Sequence, residues 1–355
     1  MVSGEMAQEP NKGGRPRATL RDIAAAAGVD VSTVSRVVNG GEISVRPETR
    51  ARILEEVRRR DYRPHAGARS LKVQRTGALG LLFPDFTNPV YSTIVRGAAH
   101  RADDLGYVML MAELGRSTTT PTQSFARIVQ ERRVDGLIIA SAGEQGELIA
   151  QLDIPHLFVN RRAAAAGVSV TVDDEAAGRL AAEALIEAGH RRLAFIGEGD
   201  SIDTARRRRA GFMEACRAAG IDEAVDARAP YSRKGGFEAT QTLLADRPDV
   251  TGVFASNLLV GIGALAAAGQ TGIAVPEDLS ILTLDAEDAA YTQPPLTAVS
   301  LPLTEMGARA VEEMDRILKG EHPVDVTIAT GPTLIRRSSL GPPPIKRRRR
   351  PRRAA

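Results

Sequence analysis

Cysteine is almost missing from this chain of 355 residues. Cys216 stands alone, which excludes an internal disulfide and fits a reducing compartment. The five histidines are scattered without metal-ligand spacing, so no metal site is expected. No stretch approaches the roughly 18 uninterrupted apolar residues of a membrane span. The first twenty residues lack the apolar centre of a secretory signal, and a cytoplasmic protein is expected. Nucleophile elbows and Gly-rich phosphate loops after a strand are also missing. The sequence therefore predicts neither an enzyme nor a resident cofactor.

What the chain does have is segregated charge. Its formal net charge of +3 conceals two basic ends around an acidic centre. Residues 1–75 hold fifteen Lys/Arg against nine Asp/Glu, and residues 336–355 hold nine Lys/Arg and no acid. Residues 76–335 therefore carry −12. Basic ends suit a polyanion that the acidic centre would repel, although charge runs also simply solvate a surface.

The first pattern along the chain is helical. Thr19 has the spacing of an N-cap with Asp22 three residues on, and Leu20, Ile23, Ala24 and Ala27 then share one face. Gly28 can take the positive φ of a sharp turn. Asp30 can cap a second helix, Val31 to Val38, in which Val34, Val37 and Val38 face inward. Val31, Ser32, Thr33, Ser35 and Arg36 are left on or beside the outer face. Pro47 opens a third helix to Arg60, with Ile53, Leu54 and Val57 for the core. This is the layout of a helix-turn-helix, whose second helix enters the major groove, and equally of a generic helical hairpin.

Beyond residue 76 the pattern changes. Short apolar runs recur at 78–83, 108–111, 136–139, 156–159, 168–172, 193–196, 252–255 and 280–284. Helical stretches such as 176–188 and 205–219 lie between most of them. Alternation of this kind predicts a mostly parallel α/β sheet covered on both faces. The span exceeds one doubly wound unit, and such folds bind ligands at the carboxyl ends of their strands, often between two lobes.

The residues themselves are more specific than their periodicity. The run TLRDIAAAAGVDVSTVSRVVNG, followed by VRPETRARI and DYRP, resembles the head of the lactose/purine repressor family. The resemblance continues through LGLLFPDFTNPVY, EALIEAGHRRLAFIG, RRAGFMEA, VPEDLSIL and QPPLTAVSLPLTEMGARAV to about residue 338. It implies an all-α helix-turn-helix head and a hinge, followed by a two-lobed α/β effector domain like the periplasmic binding proteins. The expected boundaries are a disordered basic lead-in (1–18), the head (19–64), the hinge (65–76), the effector and dimerisation domain (77–340) and a disordered basic tail (341–355).

Carried over by position, Val31 and Ser32 read base edges and Arg36 lies in the groove. Thr19, Thr33, Ser35, Asn39 and Tyr62 match positions that mainly contact phosphates. In the hinge, Ala-Arg-Ser-Leu-Lys resembles the segment that folds when two subunits meet on DNA. Leu71 matches the leucine wedged into the minor groove, with Ala68 and Lys72 beside it. Two features depart from the family: the loop 39–46 is about one residue longer than in the lactose repressor, and Arg46 replaces a capping Ser.

For the body, the resemblance implies a cleft for a sugar, nucleobase or similar solute. Tyr91 and Tyr231 would cover a flat ligand face, Arg208 would fork onto ligand oxygens, and Asn257 and Asp285 would stand beside it. Within Arg206–Arg209 only Arg208 has this positional support, so the other three are expected on solvated surface. Leu258 and Ala286 stand where relatives often carry Asp, and Thr283 where Gly is usual. The Leu258 change is expected to remove a helix cap or to signal a less polar ligand. The partners implied are duplex DNA with a near-palindromic operator, a small effector and a second copy of the chain, a dimer or a tetramer. An exported solute-binding protein would share the body but not residues 19–72. An effector-independent repressor or architectural protein stays open. At the ends, Lys12-Gly-Gly-Arg-Pro-Arg17 echoes an AT-hook without its leading arginine, and Lys346–Arg353 reads as a phosphate clamp or a solubilising appendage.

Overall fold

The computed structural model describes residues 18–38, 45–60, 62, 75–114, 131, 133–140, 154–162, 167–200, 202–284 and 287–345. It divides after Thr76 into two compact units. Of the residues singled out above, Asn39, Ala68, Leu71, Lys72, Asp285 and Ala286 lie outside the described residues, as do the lead-in to residue 17 and the tail from residue 346.

Among its described residues the head has three helices, α1 (Leu20–Ala27), α2 (Val31–Val38) and α3 (Pro47–Arg59). Thr19 and Asp22 form a reciprocal capping box, with the Thr19 N–H donating to the Asp22 carboxylate at 2.7 Å. Gly28 ends α1 at φ 62°, which lets Val29 N–H reach back to the Ala24 carbonyl. The Asp30 carboxylate accepts the Ser32 N–H at 2.7 Å and starts α2 as expected. Ile23, Ala24, Ala27, Val34, Val37 and Ile53 close the core. Each large aliphatic among them contributes roughly 1.5–3 kcal/mol by leaving water. Arg52 adds a tether, donating from Nε to the Ala27 carbonyl at 2.9 Å. Arg46 precedes α3 without a side-chain cap, and Pro47 at the first helical position removes one N–H that would need a partner.

The second unit contains two sheets. The first lobe comprises β1 (Ala78–Phe83), α4 (Pro89–Asp104), β2 (Val108–Glu113), β3 (Gly136–Ile139), β4 (His156–Val159) and β5 (Val168–Thr171). The second begins with α5 (Asp174–Glu187), β6 (Leu193–Gly197), α6 (Asp203–Ala218), β7 (Val225–Arg228) and α7 (Arg233–Asp246). It continues with β8 (Gly252–Ala255), α8 (Leu258–Gln270), β9 (Ser280–Leu284), a 3-10 turn (Glu287–Tyr291) and β10 (Thr297–Ser300). The chain then returns to the first lobe with α9 (Leu303–Leu318) and β11 (Val326–Thr327), and ends in the second with β12 (Thr333–Ile335).

Strand orders are β11-β5-β4-β3-β1-β2 and β12-β10-β9-β8-β6-β7, parallel throughout except for β10 with β12. The chain thus passes between lobes after β5, after β10 and after β11. α9 follows a second-lobe strand, yet it buries Met306, Ala310, Val311 and Met314 in the first-lobe core. In the second lobe α5 and α6 pack backbone to backbone. A Cβ on Gly178 would stand 1.9 Å from the Arg208 carbonyl oxygen, and one on Gly211 equally close to that of Glu175. This contact sets Asp174 beside the arginines of α6.

The ordered fold runs past its expected end at residue 340. His190, fully buried, reaches the Gly341 carbonyl through Nε2 at 2.9 Å, and the Gly341 N–H donates to Ser280 Oγ. Residue 341 is therefore pinned to the second sheet and does not open a disordered tail.

Candidate DNA interface and effector cleft

On the head, burial of Val34 and Val37 fixes the rotation of α2. Val31, Ser32 and Arg36 are exposed together, while Thr33 and Ser35 are half-buried at the edge of that face. Val31 is 37% exposed, a solvent-facing apolar side chain of the kind that can meet a base edge or thymine methyl. Asp30 stands beside this surface, its carboxyl held below the ordinary range by hydrogen bonds from the Ser32 hydroxyl and N–H. Two residues expected at phosphates already serve the fold. The Thr19 hydroxyl is part of the α1 cap. Tyr62 packs against the head core, and burial raises its phenol pKa.

In the body, the carboxyl ends of β1, β6, β7, β8 and β9 lead into the segments where the expected cleft residues lie. Arg208 is 2% exposed and committed to the protein: Nε donates to Asp174 Oδ1 at 2.7 Å and Nη1 to the Ser256 carbonyl at 2.9 Å. Burial pulls down on its pKa, but the neighbouring Asp174 and Tyr231 outweigh that and raise it. The Tyr231 hydroxyl lies 3.4 Å from Ser256 Oγ, and burial pushes its pKa up.

Arg207 was expected on solvated surface and is instead 5% exposed. It pairs with Asp174 at 2.7 Å and Asp203 at 3.0 Å, and donates to the Val172 carbonyl of the first lobe. Burial pushes the Asp203 carboxyl up, yet Arg207, the Arg162 N–H and Arg206 together hold it below the ordinary range. Since Arg162 and Val172 belong to the first lobe, this network fastens the two lobes at their first crossover. No sequence pattern marked Arg207 apart from its neighbours in the run, because only the distant Asp174 and Asp203 distinguish it. Arg206 and Arg209 remain partly exposed, as expected.

Three expectations about the cleft change. Leu258 does not cost α8 its cap: Asn257 supplies it, accepting the Leu259 N–H at 2.8 Å, and Leu258 is buried in the second-lobe core. Thr283 is fully buried in β9 opposite Gly261, so it reports on packing and not on ligand polarity. Tyr91 is 5% exposed and stacks on Phe83 with ring centroids 5.7 Å apart, so one of its faces is already covered. The aromatic left open is Phe86, 61% exposed and edge-on to Phe83 at 4.5 Å. The sequence reading passed over Phe86 and also Arg161, a buried arginine directly after β4 that points Nη2 at the Tyr91 hydroxyl.

Comparison with known proteins covers both units. Residues 19–65 match the family of bacterial regulatory proteins of the lacI type, and residues 182–340 match the periplasmic binding protein-like domain. The HTH-type transcriptional regulator DegA of Bacillus subtilis is 34% identical, over 92% of this chain and 99% of that protein. The crystal structure of the lac repressor dimer bound to operator and the anti-inducer ONPF covers 91% of this chain and 99% of its own, at 26% identity and TM-score 0.80. The complex of the transcriptional regulator CelR with cellobiose covers 91% and 100%, at 28% identity and TM-score 0.68. The chain belongs to the LacI family of bacterial transcriptional regulators.

Proposed function

We propose that this protein represses transcription by binding a near-palindromic operator as a homodimer, and that a small polar effector held between its lobes controls that binding. The observation that carries the reading is the joining, in one chain, of an exposed α2 face (Val31, Ser32, Arg36) to a body with polar groups gathered at the strand ends. The operator-bound relative supports the first half and the cellobiose-bound relative the second. For the dimer, support comes from β2, an edge strand that exposes Val108 and Met111, apolar side chains on a sheet whose central strands are buried.

In this reading Val31 and Ser32 choose the sequence, with Arg36 beside them in the groove. Thr33, Ser35, Asn39 and Tyr62 set the register on phosphates. Leu71 wedges the minor groove between Ala68 and Lys72, bending the duplex onto more protein surface. Asn257, Asp285 and Tyr231 line the effector site with Arg208. The protein binds and does not catalyse, it works at the nucleoid in the cytoplasm, and its basic tail adds phosphate contacts without sequence preference. Selection of bound sequences from random DNA, with and without candidate solutes, tests the reading. Enrichment of two inverted half-sites is expected, and recovery of unselected DNA would overturn it.

A further inference from the structure

An acid stands at the tip of α2 and governs what Ser32 can offer to DNA. Asp30 is exposed directly before the helix, with Val31 and Ser32 exposed beside it. Its Oδ1 accepts the Ser32 N–H at 2.7 Å, and the carboxylate also takes a hydrogen bond from the Ser32 hydroxyl. Arg36, further along α2, adds a weaker attraction. The backbone holds this corner in place. The Asp30 carbonyl accepts from the N–H groups of Thr33 and Val34 at 3.0 and 3.2 Å, and burial of Val34 and Val37 fixes the helix rotation.

A serine hydroxyl has one proton and two lone pairs, and can usually either donate or accept. Here the proton is committed to a carboxylate. A charge-assisted bond is roughly twice as strong as a neutral one, so a base acceptor does not win that proton back. Ser32 Oγ therefore meets a base edge as an acceptor only. The carboxylate imposes the same rule, since base acceptors repel it and only a donor matches it. Val31 beside it is apolar and brings no donor of its own. On the major-groove edge the donors are cytosine N4 and adenine N6, whereas guanine and thymine present acceptors. Adenine also carries the acceptor N7 next to its amino group, so cytosine is the better match. We infer that Asp30 is a specificity-determining residue: it makes the tip of α2 an acceptor-only reader, so that each half-site carries cytosine, and next best adenine, at the base that meets Ser32. This rests on the reading above, in which Ser32 reaches a base edge, and names the base.

Selection of bound duplexes from random DNA, run in parallel with the full-length protein, Ser32→Ala and Asp30→Asn, tests the inference. The operator position whose preference changes in Ser32→Ala is the one Ser32 reads. There the wild type should enrich cytosine above adenine and disfavour guanine and thymine by ~10-fold or more, as for a charged hydrogen bond made or lost. Asp30→Asn keeps a capping oxygen for the Ser32 N–H, so its melting temperature should match that of the wild type. Without the charge the Ser32 proton is held weakly and can turn to guanine or thymine. Discrimination at this position should then fall to about 2-fold or less, with every other position unchanged. A residue that only capped the helix would weaken all positions together.

A gel-shift titration reaches the atom itself. Replacing the selected cytosine by 2-pyrimidinone, which lacks only the amino group, should weaken the wild type ~10-fold and Asp30→Asn much less. Equal losses in the two proteins would overturn the inference. So would guanine or thymine at the Ser32 position of the wild-type operator, or an unchanged preference there in Asp30→Asn. In each of these cases operator recognition by α2 would stand. If Ser32→Ala changed no position, the assignment of Ser32 to a base edge would fall together with the inference. Recovery of unselected DNA by the wild type would overturn the proposed function as well.

Discussion

Arg36 in the head and Arg208 in the body both belong to surfaces that meet a partner, and they are built in opposite ways. Arg36 stands exposed on a helix whose other face is packed. Its position follows from three valines and the 3.6-residue repeat, so it can be placed from the local sequence alone. Arg208 is buried, and its orientation depends on Asp174, thirty-four residues away, and on a carbonyl forty-eight away. An exposed reading face needs rigidity beneath it and freedom above it. A cleft arginine needs its charge compensated before any ligand arrives. Substitutions in the head should therefore alter DNA recognition at small cost to folding, and substitutions around the cleft should do the reverse.

The largest effect is expected at Asp174. Its carboxylate serves both Arg207 and Arg208, all three side chains being at most 5% exposed. Asp174→Ala would leave two buried guanidiniums short of a partner and should destabilise the body by about 3–5 kcal/mol. Chemical denaturation should show the body transition shifted while α1–α3 keep their own. An undisturbed body transition would mean that the network is solvated, and the contrast with Arg36 would collapse.

Arg36→Ala is the complementary experiment. Folding stability should stay within about 0.5 kcal/mol, as for an exposed side chain. Operator affinity should fall by about 1–3 kcal/mol, or roughly 5–150-fold, with a changed preference if the contact is to a base edge and a uniform loss if it is to a phosphate. Gel-shift titration against selected and random duplexes separates the two. Loss of folding without loss of binding would invert the comparison.

A third substitution tests the one residue with both duties. Thr19 matches a phosphate-contacting position, and its hydroxyl is spent on the α1 cap. Thr19→Ala should cost about 1 kcal/mol of head stability. Thr19→Asp keeps a capping oxygen but replaces a hydroxyl 2.7 Å from the Asp22 carboxylate by a second carboxylate, so it should lower the melting temperature by like-charge repulsion and weaken DNA binding more than Thr19→Ala does. Unchanged affinity in Thr19→Asp would make the residue a cap only.

These contrasts show why parts of the molecule were legible in sequence and parts were not. Helix and strand placement followed from periodicity: Thr19, Gly28, Asp30 and Pro47 mark helix ends, and eight apolar runs became strands within one or two residues. The short strands β7, β10, β11 and β12 escaped: Val225–Arg228 alternates half-buried with exposed residues, Thr297–Ser300 has only two apolar residues of four, and the other two strands have only two and three residues. In the cleft, residue type was readable and occupancy was not. Four consecutive arginines look alike in sequence, and only Asp174 and Asp203 separate the buried pair from the exposed one. Asn257 capping α8 in spite of Leu258, and Gly261 making room for Thr283, are likewise long-range facts about space.

The smallest expected effect lies in the body, at the far end of the chain. His190 is fully buried between Thr251, Ser280 and Gly341. Burial lowers its pKa, although the Gly341 carbonyl pulls the other way. A group whose folded pKa is depressed binds protons more readily unfolded, so its contribution is complete above the ordinary histidine value. That contribution declines as the pH falls below that value towards the folded pKa. The wild-type melting temperature should therefore drop between pH 7 and pH 5 by more than that of His190→Gln, with a slope difference of at most about 1.4 kcal/mol per pH unit. His190→Gln should also free residues 339–341, seen as faster amide exchange of Gly341, whose N–H is held by Ser280 Oγ. The head, with no described histidine, should show no matching change in this range. Equal pH slopes for the two proteins would mean that His190 keeps its neutral form without cost, and the clasp on the C-terminal segment would then depend on Ser280 alone.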